Sequence, residues 1–335
     1  SAASALGYDE LRRRQDAGER IGVGLTLFTE STGLGLPEPA GARIEPSGRA
    51  VFLAGSAPGG QGHLTVLAQV GAERLGWPIE RVEVVAGDSR AVPGRAPTGG
   101  SRTAVESGNA VRRAALAARR ALQQRAGALL EADAEDIEVS PEGGWVRGTP
   151  SRRVPISELV GEEGLEVAEV FEAGSSTFAS GAVGVVVELD PETLSPSVRR
   201  CVFAHDSGQE INPKLVEGQV HGGYAHGLGY ALFEDAAYGP DSGMRATTFL
   251  DYAIVTAAEV PVQPEVLALP SPTAHNPEGF KGAGESGAVP IPAAVANALE
   301  DALHRLGRPA ALDDLPITPD RLFRLLHGPG AGAAG

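Results

Sequence analysis

The chain has 335 residues, a formal charge of −15 from 28 Lys and Arg against 43 Asp and Glu, and 42% hydrophobic residues. That length carries one large domain or two medium ones, and the acidic balance excludes a nucleic-acid-binding surface, which needs clustered cations. A single cysteine, Cys201, excludes an internal disulfide, a cysteine-only zinc site and an iron–sulfur cluster held by this chain alone.

Residues 1–20 predict a short polar lead-in helix without the apolar core of a signal peptide. Gly22–Thr29 and Ala50–Ala54 alternate as strands, the second with Phe52 on one face. A helix follows from about His63, with Leu64, Leu67, Ala68, Gly71 and Leu75 on one side. Val82, Val84 and Ala86 predict another strand. The longest helix spans Thr103 to about Leu130, with a stripe of Val111, Ala115, Ala118, Leu122 and Leu129. Thr103 and Glu106 are spaced as a capping box at its start.

Beyond Pro141 the pattern turns to strands, around Trp145, at Glu166–Phe171, at Gly181–Leu189 and at Ser197–His205, the last burying Cys201. A helix at Pro213–Phe233 is unusual in holding Gly218, Gly222, Gly223, Gly227 and Gly229, each costing an isolated helix about 1 kcal/mol. Such a helix requires something packed close to its backbone. Pro292–Leu306 and Thr318–Leu326 are the last helices. The whole predicts an α+β fold in two halves, 21–172 and 173–326, with a Gly/Ala-rich disordered tail over 327–335. No apolar run approaches the about 20 residues that span a bilayer, so a cytoplasmic protein is expected.

Four Gly-rich segments carry the chemical signal. Gly59-Gly60-Gln61-Gly62-His63 opens a helix and can offer bare N–H groups to a phosphate or a pterin carbonyl. By itself it matches an ordinary strand-to-helix turn equally well. Ala96-Pro97-Thr98-Gly99-Gly100-Ser101-Arg102-Thr103 also precedes a helix and combines hydroxyls, amides and one guanidinium, a donor set for an anionic head group. The third runs from Asp206-Ser207-Gly208 through Ile211-Asn212-Pro213 to Glu217-Gly218-Gln219-Val220-His221-Gly222-Gly223. The fourth, Lys281-Gly282-Ala283-Gly284-Glu285-Ser286-Gly287, holds one of the chain's two lysines (the other is Lys214). Its glycines fit a dinucleotide fingerprint formally, but no strand precedes them. What remains is a carboxylate, Glu285, on a tight loop. His221 and His226 are five apart and miss a shared helix face, so no metal-ligand spacing appears.

Taken in order, these segments resemble the molybdenum-binding region of the xanthine dehydrogenase/aldehyde oxidase/carbon monoxide dehydrogenase family. The stretch Phe249-Leu250-Asp251-Tyr252-Ala253-Ile254 is similar too. The resemblance covers residues 20–325 and implies the second molybdenum-cofactor-binding domain of a molybdenum hydroxylase. By position it implies that Gly60, Gln61, Gly62 and His63 contact the pterin near the metal. Thr98, Gly99, Gly100, Ser101 and Arg102 hold the pyrophosphate and nucleotide. Asn212 and Gln219 meet the pterin, and Lys281, Gly282, Ala283 and Gly284 pass beneath it. Glu285 matches the family's catalytic base.

The implied cofactor is molybdopterin cytosine dinucleotide with an oxo/sulfido molybdenum that takes no protein ligand. The implied partners are a [2Fe-2S] subunit, an FAD subunit and the first half of the molybdenum subunit, whose Gly-Gly-x-Phe-Gly loop is missing here, so that either the subunit is split between two chains or this sequence is a fragment. A small-molecule substrate follows, an aldehyde or an aromatic N-heterocycle. A carbon monoxide dehydrogenase-type half, a non-catalytic cofactor scaffold and an unrelated phosphate-binding protein stay open as alternatives.

Overall fold

The computed structural model describes residues 2–92, 97–260 and 262–328. Two short helices, α1 (Ala2–Leu6) and α2 (Tyr8–Asp16), lead into β1 (Ile21–Thr32). Then follow β2 (Glu38–Ile44), β3 (Ala50–Ala54), α3 (His63–Leu75), β4 (Val82–Ala86) and α4 (Glu106–Leu130). The middle of the chain forms β5 (Ile137–Ser140), β6 (Gly143–Val146), β7 (Thr149–Pro155), α5 (Ile156–Val160) and β8 (Leu165–Phe171). The remainder is β9 (Thr177–Leu189), β10 (Pro196–Asp206), α6 (Pro213–Leu232), β11 (Glu265–Ala268), α7 (Ile291–Arg305) and α8 (Pro319–His327). The expected α+β class holds. Of the tail, residues from 329 onward lie outside the described residues, as does Ala96 of the second Gly-rich segment.

Three sheets organise these elements, in the orders β1-β9-β10-β11, β4-β3-β2-β8 and β5-β6-β7. The first is long and covered on both faces. Val183, Val185 and Val187 point into a core with α6 and α7, whereas Val186 joins Leu6, Leu11, Ile21 and Val23 on the opposite side. The second sheet buries Ala42, Phe52 and Val84 beneath α3 and α4. There β3 and β4 run parallel, which α3 makes possible by crossing between them. Although β1 lies early in the chain, it pairs antiparallel with β9 from Ile21↔Glu188 to Thr32↔Thr177. Strand β1 of the first half thus joins the sheet of the second, while the two larger cores keep to residues 40–173 with Phe280 and 183–322 with Phe28. The lead-in helix is tied down as well: Arg12 Nη1 and Gln15 Nε2 meet the Asp301 carboxylate of α7 at 2.7 and 2.6 Å.

Several sequence expectations are corrected here. The longest helix begins at Glu106, and its N-cap Val105 makes no side-chain cap, so the Thr103–Glu106 capping box does not form. The Glu106 carboxylate instead accepts from the backbone N–H groups of Leu34 and Leu36 and from Arg102. Its buried stripe passes through Ala126 and excludes the exposed Leu129, and the chain turns at Glu131 to lay Ala132 against Gly127. Leu64 of α3 is exposed, and Val70 takes the buried place. Strands β2, β5, β7 and β11 and helix α5 carry too little periodicity to be read beforehand.

The tightest packing lies between β1 and α7. Gly24 alternates with inward-facing Val23, and a Cβ placed on it meets the Ala294 carbonyl oxygen at 2.0 Å and the Ala298 nitrogen at 2.6 Å. Backbone cannot retreat as a side chain can. Gly24→Ala is expected to cost at least the about 1–3 kcal/mol typical of overpacking, read as a lower denaturation midpoint. An unchanged midpoint would mean that α7 slides freely on this sheet.

Candidate active site

A cavity of about 340 Å³ opens among the segments that lead into α3, α4, α6 and α7. All four Gly-rich segments converge on it. Gln61 and His63 come from the entry of α3, Thr98, Gly99, Ser101 and Arg102 from the loop before α4, Asn212 and Gln219 from α6, and Lys281, Gly282, Ala283, Gly284 and Glu285 from the loop before α7. A second cavity of about 500 Å³ shares Gln219, Gly284 and Glu285 with the first and adds Gly222, His226 and Tyr230. Glu285 thus stands at the junction of two spaces. Among the residues singled out from sequence, Gly60, Gly62 and Gly100 are not in the lining. They shape the loops behind it, at φ +104°, +80° and +58°.

Local chemistry explains each wall. Gly62 caps α3 in the left-handed region without a side-chain acceptor, which leaves first-turn N–H groups of this helix for a ligand. The loop is braced from within, since the Gly59 N–H donates to Gln61 Oε1 at 2.6 Å and Thr98 Oγ1 donates to the Ala57 carbonyl at 2.8 Å. His63 is buried, and this lowers its pKa against the opposing pull of a bond with the Ala57 backbone. Asn212 is the N-cap of α6, its Oδ1 accepting from the Leu215 N–H at 3.2 Å and its Nδ2 donating to Gln69. Pro213 at the first helical position completes that signature. The Asn212 side chain is thereby committed to its own helix and to Gln69 of α3.

Two cations of these loops are committed inward. Arg102 is fully buried, with Nη2 2.7 Å from Glu38 Oε2 and Nε bonded to Glu106, and both carboxylates are buried too. The guanidinium read from sequence as a pyrophosphate ligand therefore cements the loop to β2 and α4. Lys281 Nζ pairs at 2.6 Å with Asp206 Oδ2, while Asp206 Oδ1 accepts from the Gly208 and Ser271 N–H groups. The Thr98 and Ser101 hydroxyls likewise donate to the Ala57 carbonyl and to Glu30, so backbone N–H groups are the donors that this cavity leaves for an anion.

The Gly-rich helix α6 also needs a second reading. The close approach its glycines permit is partly made by this chain: a Cβ on Gly223 meets Gly287 Cα at 2.6 Å, and one on Gly227 meets Ile291 Cβ at 2.7 Å. Gly218 and Gly222 face open space, and Gly222 lines the second cavity.

Glu285 itself is exposed, and its carboxylate lies 3.4 Å from the Ser101 hydroxyl. Its own N–H donates to Ser101 Oγ at 3.2 Å. Behind it, one residue escaped the sequence reading. Glu30 of β1 is buried, accepting from Ser101 Oγ on Oε1 and from Ser286 Oγ on Oε2, each at 2.5 Å. Burial pushes the Glu30 carboxyl up, the two hydroxyls oppose this, and the Glu285 charge adds to the rise. The available signal was phase: Glu30 falls between inward-facing Phe28 and Thr32 on an alternating strand. Among the described residues no three His, Cys, Asp or Glu side chains gather to hold a metal ion.

Comparisons with known proteins bear on this site. A family model described as the molybdopterin cofactor-binding domain matches residues 1–261. The chain is 36% identical to the nicotine 6-hydroxylase large subunit of Paenarthrobacter nicotinovorans, across 96% of this chain and 42% of that one. It is 30% identical to the carbon monoxide dehydrogenase large chain of Afipia carboxidovorans, across 90% and 41%. Among solved structures, quinoline 2-oxidoreductase from Pseudomonas putida 86 superposes with a TM-score of 0.86 at 32% identity, covering 98% of this chain and 45% of that one. The chain spans about two fifths of the length of the curated relatives it matches.

Proposed function

Since the chain belongs to the molybdopterin cofactor-binding domain family, we propose that it is the second cofactor-binding half of a molybdenum hydroxylase, with Glu285 as catalytic base. The observation that carries this is the convergence of four separate Gly-rich segments on one cavity with a carboxylate at its mouth. The residues present fit such a cofactor. Gln219 and the amide nitrogen of Gln61 offer carboxamide groups that a pterin edge pairs with, Thr98 and Ser101 offer hydroxyl oxygens as acceptors, and the start of α3 offers N–H groups for a phosphate. When bound, the molybdenum–pterin group supplies two-electron oxidation and activates water.

The chain's own residues supply the rest. The backbone of Gly282, Ala283 and Gly284 forms one wall of the cleft, and the Lys281–Asp206 pair anchors that wall to the end of β10. Glu285 sits where an incoming substrate arrives and can take a proton. General-base assistance contributes about 10²–10⁴-fold.

We infer aromatic N-heterocycles as the substrate class, supported by the relatives named for nicotine and quinoline at 36% and 32% identity, against 30% for the carbon monoxide enzyme. The carbon monoxide dehydrogenase-type reading is the second one. A [2Fe-2S] subunit and an FAD subunit would carry the electrons onward, as one cysteine holds no relay.

The other half of the cofactor site is assigned to a further polypeptide segment, and this chain offers it an apolar seat. Phe249 and Leu250 are 87% and 93% exposed, and Tyr238 and Ile254 are exposed as well. The test is to purify the complex from cells, measure its molybdenum, and release the cofactor with acid. Molybdenum near one per chain with cytidine monophosphate in the extract is the expected result, because two helix entrances serve one ligand. Molybdenum without any nucleotide would remove the dinucleotide form, and no molybdenum would remove the reading.

A further inference from the structure

The Ser101 hydroxyl stands between two carboxylates. It lies 2.5 Å from Glu30 Oε1 and 3.4 Å from Glu285 Oε2, and it also accepts the Glu285 N–H at 3.2 Å. Ser101 adopts φ +49°, a left-handed conformation that a residue with a Cβ enters only when its surroundings impose it. Here the imposed conformation places Oγ between Glu30 and Glu285. Glu30 has its second oxygen held at 2.5 Å by Ser286, whose side chain is fully buried. Facing Glu30 are Ser101 from the loop before α4, Ser286 and Glu285 from the loop before α7, and Ala179 across on β9. Glu285 is the charged group among them. A buried carboxylate with no cationic partner in this shell is costly unless it can carry a proton.

We propose that Ser101 and Glu30 form a proton path behind Glu285, delivering to Glu30 the proton that Glu285 takes up. The proposal rests on reading Glu285 as the base. The exchange balances: the Glu285 O–H proton moves to Ser101 Oγ while the Ser101 O–H proton moves to Glu30 Oε1. Two O–H bonds break and two form, Glu285 returns to its carboxylate, Glu30 becomes a carboxylic acid, and no electrons are transferred. The geometry makes this useful, because a substrate seated at the cavity mouth covers the solvent side of Glu285 and leaves the Ser101 side in contact with the protein. Ser101 and Glu30 act through Glu285 and so are positioning residues.

The test uses the assembled enzyme, with molybdenum content measured for every variant. Glu30→Gln keeps the shape and still accepts a hydroxyl, but cannot take a proton. It is expected to retain molybdenum and KM, to lower kcat about tenfold to a hundredfold, and to remove one ionisation from the kcat–pH profile. A protonated-carboxyl infrared band is expected to rise in the parent during turnover and to be absent from Glu30→Gln. Adding Glu30→Gln to Glu285→Gln should cost nothing further, since both act on one proton. Ser101→Gly cuts the same path while relaxing the backbone, and it decides the question on the same readouts if Glu30→Gln does not assemble. An inactive Glu285→Gln beside a Glu30→Gln with parental kcat and pH profile overturns the proton path and leaves the base intact. A fully active Glu285→Gln removes the base, and the path with it.

Discussion

Glu285→Gln is expected to abolish turnover, by about 10²–10⁴-fold in kcat, while leaving bound molybdenum at the parental level. The two halves of that expectation have separate causes. Gln has the shape of Glu but no basic lone pair of comparable strength, so a step that needs a proton removed loses its acceptor. The rest of the site has little reason to change. The Glu285 carboxylate has Ser101 as its hydrogen-bond partner, and the loop is held by other groups: the Glu285 N–H on Ser101, the Ser286 hydroxyl on Glu30 and the Lys281–Asp206 pair. Metal analysis and steady-state kinetics on the same preparation check both halves. A kcat near the parental value with full molybdenum would take Glu285 out of the mechanism. A fall in molybdenum matching the fall in rate would make it a cofactor residue.

Arg102→Met is expected to destabilise the fold by about 3–5 kcal/mol, the cost of leaving buried charge without its partner. Its guanidinium sits at zero exposure between Glu38 and Glu106, which are equally buried. Neither carboxylate can reach water when the cation is gone. The Ser107 hydroxyl on Glu38 and the Leu34 and Leu36 N–H groups on Glu106 satisfy oxygens without neutralising them. Denaturant unfolding of Arg102→Met measures the loss. The triple change with Glu38→Gln and Glu106→Gln should recover part of it, because both uncompensated charges are then removed. Were Arg102 a phosphate ligand instead, Arg102→Met would keep its stability and lose cofactor affinity, and the triple change would recover nothing.

The sequence by itself determined the chemistry-bearing segments and most long elements. Glycines with carboxamides and hydroxyls at helix entrances are local signals, because turn conformation and bare N–H groups depend on neighbouring residues alone. The Asn212-Pro213 start of α6 and the valine run of β9 were legible for the same reason.

What only the tertiary structure decided is which side chains are already engaged. Arg102 looks in sequence like a donor for an anion, yet Glu38, 64 residues away, takes its charge. Glu106 looks like a capping residue, yet it serves Leu34 and Leu36, some 70 residues distant. Two of the five glycines in α6, Gly223 and Gly227, answer instead to the packing of Gly287 and Ile291 at the entry of α7. The short strands β2 and β11 take their conformation from partners across the sheet, so their own residues hold little signal. Glu30 is the clearest case. Its inward phase was visible, but its meaning came from Ser101 and Ser286, 71 and 256 positions away, because burial and pairing are properties of the folded surroundings and not of the strand that carries the residue.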